Sequence, residues 1–64
     1  MDQSVAAIMR FFEYQHLPEN LQTVSREFYN LAHHLEQTLE TSAEKSVALR
    51  KLLESKDAAV RSAL

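Results

Sequence analysis

Apolar residues recur along this chain at helical rather than strand spacing. In SVAAIMRFFEY, residues 4–14, Val5, Ile8, Met9 and Phe12 form one stripe, with Phe11 and Tyr14 beside it. That spacing predicts a short helix over about residues 4–14. A second stripe comprises Leu21, Val24, Phe28, Leu31, Ala32, Leu35 and Leu39, close to a heptad repeat. Pro18 suits a first helical position and Glu19 a first turn, which predicts a helix over about 18–40. The residue before a proline avoids the α region, so His16 and Leu17 are expected to be extended. In TSAE, Thr41 followed by Glu44 reads as a capping box. It predicts a break and a third helix over about 42–63, through Val47, Ala48, Leu49, Leu52, Leu53, Ala59, Val60 and Leu64.

These elements predict an all-α fold in a single domain, residues 1–64: a short N-terminal helix followed by a long antiparallel helical hairpin. The third helix has a small-residue edge at Ala48, Ala59 and Ala63 and a Leu/Val edge at Leu49, Leu53, Val60 and Leu64. Two edges call for two partners. The second helix is one; another subunit is the expected other, giving a symmetric homo-oligomer with the first helix across the joint. One residue breaks the pattern: Lys56 projects from the middle of the apolar face.

Composition supports the helical reading, since the 64 residues contain no Gly and a single Pro, whereas tight β-turns draw on Gly. A chain this short buries only about 60% of its unfolded surface and leans on disulfides, a metal or oligomerisation. With no Cys, disulfides and a Cys-based zinc site are excluded. Adjacent His33 and His34 point about 100° apart on a helix, so with His16 they make a poor metal set. No metal or cofactor is expected, and oligomerisation remains. The net charge of −2 argues against duplex nucleic acid as a partner. Charge is uneven, however: residues 1–42 carry two cations against six carboxylates, and residues 43–64 five against three. The basic end reads either as solvated helix faces, the commoner outcome for so mild an imbalance, or as a site for a small anion. Neither a membrane span nor a signal peptide is apparent, and a cytosolic protein is expected.

No catalytic motif appears. Cys is absent, the serines lack a nucleophile context, and a Gly-rich phosphate loop is impossible. The row Arg50, Glu54, Asp57 and Arg61 reads most simply as a salt-bridge ladder. Three features remain. Gln22, Arg26, Tyr29 and His33 share one polar face of the second helix. Phe11, Phe12 and Tyr14 cluster before Pro18, as a hydrophobic cap or as a platform for stacking bases. Lys45 and Lys56 lie eleven residues apart on one line, as do Arg50 and Arg61. Lys56 either snorkels from an interface or joins cations that converge on phosphates in a symmetric assembly.

The block ALRKLLESKDAAVRSAL, preceded by FFEYQHLPENLQTVSREFYNLAHHLEQTLE, resembles a family of small phage-encoded nucleotide sponges. It includes the anti-CBASS protein that sequesters cyclic oligonucleotides and its helical-hairpin relative, the anti-Thoeris sponge for cyclic ADP-ribose isomers. The likeness spans residues 10–64. It implies a non-enzymatic protein of the host cytoplasm that serves phage immune evasion. Such proteins bind cyclic dinucleotides or trinucleotides without cleaving them and assemble as symmetric oligomers, typically homohexamers. An aromatic residue stacks on a base, which here matches Phe11 or Tyr14. A basic residue early in the first long helix meets phosphate, matched by Arg26 where many relatives carry Lys. An arginine near the end of the last helix serves a second site, matched by Arg61. Tyr29, Arg50 and Lys56 are added as ligand candidates from helical geometry rather than from the resemblance. The minimal turn at 41–44 departs from longer members, whose turns supply pocket elements.

Two other readings compete with the sponge. One is a helical-hairpin interaction or structural protein that docks a larger phage or host partner through its apolar seam. The other is a small regulator that touches nucleic acid weakly through the third helix.

Overall fold

A computed structural model describes residues 3–64; Met1 and Asp2, part of the expected single domain, lie outside the described residues. Helix α1 spans Gln3–Met9 and runs into a 3₁₀ turn, Arg10–Phe12. Helix α2 spans Glu19–Thr38 and α3 spans Ala43–Ser62. The described residues are all-helical with no strand, and they fill an envelope of 34 × 18 × 17 Å. A 20-residue helix is about 30 Å long, so the long dimension is that of the α2–α3 hairpin.

The first helix ends earlier than its stripe suggests. Its last turn, Arg10–Phe12, is 3₁₀, as is common at helix ends, and Phe12 stays on the buried side. Phe12 is fully buried, whereas Phe11 is 63% exposed. The chain then becomes extended at Glu13, with ψ 143°. Residues 14–17 form a turn in which the Leu17 amide donates to the Tyr14 carbonyl, 3.0 Å. His16 and Leu17 are therefore not a simple extended pair. Pro18 constrains only the residue directly before it, which leaves His16 free to take part in the turn. Pro18 is itself the N-cap of α2, at φ −56° and ψ 151°. Its carbonyl accepts from the Leu21 and Gln22 amides at 2.9 and 3.0 Å.

The core is built from α1 and the hairpin together. Val5, Ile8, Met9, Phe12, Ala32 and Leu49 form one buried cluster, flanked by Phe28, Leu35, Leu52 and Leu53. Burial of apolar side chains of this size stabilises the fold by about 1.5–3 kcal/mol each. Leu49, on the Leu/Val edge of the third helix, has no exposure within one chain. Ser4 of α1 bonds Ser46 of α3 through their hydroxyls, 3.3 Å apart. Helix α1 thus packs on α3 as well as on α2.

The hairpin turns without a positive φ among its described residues. Leu39 is extended, with ψ 138°, and so is Ser42, with φ −166° and ψ 166°. Ser42 rather than Thr41 caps α3, its Oγ accepting from the Lys45 amide at 3.1 Å. The sequence offered two competent hydroxyls, and Glu44 three residues after Thr41 favoured the wrong one. With Ser42 as the cap, the third helical position holds Lys45, so the reciprocal Glu of a capping box is missing.

Two buried lysines close the ends of the other helices. The last carbonyls of a helix need donors, which a following glycine in left-handed conformation often arranges. This chain has no glycine. At the end of α2 the Lys45 ammonium donates instead to the Glu36 carbonyl, 2.8 Å, and the Leu39 carbonyl, 3.1 Å. The Glu36 carboxylate lies 3.8 Å from the same nitrogen. Three turns along α3, the Lys56 ammonium donates to the Phe11 carbonyl at the end of the 3₁₀ turn, 2.6 Å. The positive charges also suit the negative ends of the helix dipoles. Lys45 is 6% exposed and Lys56 7%.

Candidate functional site

The polar face of α2 and the loop before it come together as a small aromatic cluster. Tyr29 and His33 are four residues apart on α2, and their rings lie 4.2 Å apart at 46°. Tyr14 approaches Tyr29 edge-on, 5.1 Å between centroids at 72°. Edge-to-face pairs are favoured by the ring quadrupole. The Gln22 amide group anchors the loop, its Nε2 donating to the Leu17 carbonyl at 2.8 Å and the Gln15 carbonyl at 3.3 Å. Arg26 lies on the same helix face between Gln22 and Tyr29 and is exposed. Gln22 and Tyr29 thus hold the loop in place, His33 packs against Tyr29, and Arg26 is an exposed cation on the same face.

The remaining candidates are more dispersed. Phe11 leaves its ring in solvent while its backbone is held by Lys56. Lys56 was expected to snorkel from an interface or to line an anion site; its ammonium instead serves an intrachain carbonyl. Arg50 and Arg61 are both exposed on α3. Three turns separate them, about 16 Å along the axis, so they do not converge within one chain. The expected ladder through Glu54 does not form. Among the described residues Glu54 pairs with Lys51 at 3.8 Å, both side chains well exposed, and such a pair contributes little.

Shallow grooves lie among the described residues. One of about 500 Å³ lies at the hairpin turn, beside Glu40, Glu44 and the already engaged Lys45. Its carboxylates disfavour an anion. Another, about 370 Å³, lies along α1 at Gln3, Ala6, Ala7 and Arg10. Neither contains Phe11, Tyr14, Arg26, Tyr29, Arg50 or Arg61. Phe11, Arg26, Arg50 and Arg61 are all exposed, so a nucleotide held by them on a single chain would lie on an open surface.

Sequence reasoning missed the carbonyl acceptors of Lys45 and Lys56. Helical spacing signalled that both lysines face inward, but a backbone acceptor 45 residues away from Lys56 leaves no trace in residue identity. It also missed Ser25, whose hydroxyl is fully buried and has no hydrogen-bond partner among the described residues. Among the described residues no group of three His, Cys, Asp or Glu side chains is placed to hold a metal ion. No helix there is long and apolar enough to cross a membrane. No family model, curated protein or solved structure matches this chain.

Proposed function

We propose that this protein binds cyclic nucleotide messengers and sequesters them uncleaved, as a phage sponge working in the host cytoplasm. The observation that carries this reading is the Phe11 ring, 63% exposed on a segment whose next residue is fully buried. An aromatic face held out in this way is suited to stack on a base, a contact that contributes about 1–3 kcal/mol per base. The exposed guanidinium groups of Arg26, Arg50 and Arg61 supply charge and paired donors for phosphate. Tyr14 and Tyr29 are engaged with each other and define the wall beside Arg26. The open placement of these groups favours a site completed by a second copy, in a homo-oligomer up to a hexamer. The motif resemblance over residues 10–64 points to the same ligand class.

A second reading has its own observation. Leu31 is 46% exposed and Val47 42%, on the two long helices. Exposed apolar side chains on both helices suit an interaction protein docking a larger phage or host partner. One experiment separates the two. The purified protein is incubated with cyclic dinucleotides, cyclic trinucleotides or cyclic ADP-ribose isomers, filtered, heat-denatured, and the released ligand is chromatographed. Sequestration predicts that one ligand is retained and returned intact. Retention of none supports the docking protein, and a degraded ligand means an enzyme.

A further inference from the structure

We propose that Lys56 is a positioning residue for Phe11. Its ammonium holds the Phe11 carbonyl and thereby fixes the ring in the exposed orientation that the binding reading uses. This inference rests on that reading for its consequence and on the hydrogen bond alone for its geometry.

The local structure makes the bond necessary. Phe11 sits near the end of a 3₁₀ turn, where carbonyls lose their helical partners. The Glu13 amide donates back to the Arg10 carbonyl at 3.4 Å, and the Tyr14 amide turns to the Gln15 side chain at 3.4 Å. With Glu13 extended, no further turn of helix follows to deliver an amide to Phe11. Lys56 supplies the donor from α3 at 2.6 Å.

Two attachments then bracket one peptide plane. The Phe12 side chain is fully buried, and the carbonyl preceding it is bonded to a lysine that is 7% exposed. Rotation of that peptide would break one attachment or the other. The Phe11 side chain, 63% exposed, thus projects from a backbone that is fixed before any ligand arrives. Such pre-organisation lowers the ordering cost of binding. It also gives the ammonium on the main apolar face a partner: the Phe11 carbonyl.

The test compares Lys56→Met, which keeps the stem but loses the donor, with Lys56→Arg, which keeps donors. Native-state hydrogen exchange is read across residues 5–12 and across α2 and α3. A Phe11→Trp reporter, made in each background, reads ring mobility by fluorescence anisotropy. Lys56→Met is expected to speed exchange in residues 5–12 by about tenfold to a hundredfold relative to the hairpin. It should also lower the anisotropy of the indole reporter and weaken cyclic dinucleotide binding about tenfold; Lys56→Arg should restore much of all three. Unchanged exchange in residues 5–12, or equal acceleration in all three helices, would overturn the proposal. Should Lys56→Met fail to fold, the wild type decides. A trans-hydrogen-bond scalar coupling between Lys56 Nζ and the Phe11 carbonyl carbon supports the contact, and a Lys56 ammonium without that coupling refutes it. A wild type that binds no cyclic nucleotide refutes the sponge reading, while exchange and coupling still decide what Lys56 holds.

Discussion

Replacing Lys45 with Met removes the donor that closes α2 and leaves most of the side-chain volume in place. The ammonium makes two bonds, to the Glu36 and Leu39 carbonyls at 2.8 and 3.1 Å. Hydrogen bonds involving a charged group contribute about 1.5–3 kcal/mol each. Part of that is offset, because burying the ammonium costs desolvation that Met does not incur. The expected net loss is about 2 kcal/mol, close to the cost of leaving the end carbonyls unpaired. For a domain of this size that lowers Tm by roughly 8–16 °C and the urea midpoint by about 2 M. The assay is urea and thermal unfolding followed by circular dichroism. Glu36→Gln serves as a control for the ion pair: at 3.8 Å the carboxylate is beyond hydrogen-bond distance, so its removal should cost less than removal of the ammonium that bonds both carbonyls. A Lys45→Met protein within about 0.5 kcal/mol of wild type would refute the capping role. A Glu36→Gln loss as large as that of Lys45→Met would assign the stability to the ion pair instead.

Adjacent phenylalanines should behave oppositely. Phe12→Ala should cost about 3–5 kcal/mol in urea unfolding, and Phe11→Ala less than about 0.5. Ser25→Ala should be neutral or stabilising by up to about 1 kcal/mol in the same assay, since it removes a buried hydroxyl without a partner among the described residues. Ser42→Ala should cost about 1 kcal/mol in thermal melts while Thr41→Ala costs little, because Ser42 is the cap that bonds the Lys45 amide.

The helical class of the fold was legible because period and burial coincide. Val5, Ile8, Met9 and Phe12 were read as one stripe, and all four are buried. Leu21 and Ala32 likewise lie inside, yet Leu31 of the same seam is 46% exposed. Neighbouring residues on a helix point 100° apart, so a seam that includes both 31 and 32 is wider than one partner helix covers. The lysines were legible as inward-facing but not in their role, since their partners are backbone carbonyls brought near by tertiary structure. Of the candidate site, Tyr29 and His33 could be paired from their spacing. Tyr14 joins them only through the loop that Gln22 anchors, and loop geometry of that kind depends on contacts seven residues apart. Arg50 and Arg61 were correctly placed on one line of α3, and that same line keeps them apart within a chain.

The proposed binding activity is tested most directly by isothermal titration of the protein with individual cyclic dinucleotides, cyclic trinucleotides and cyclic ADP-ribose isomers. Arg26→Ala is titrated alongside, and its fold is checked by circular dichroism. Sequestration predicts saturable binding to at least one of these ligands, and dinucleotide binding weakened by Arg26→Ala with the unfolding midpoint nearly unchanged. Absence of binding heat at several temperatures with every ligand would contradict it.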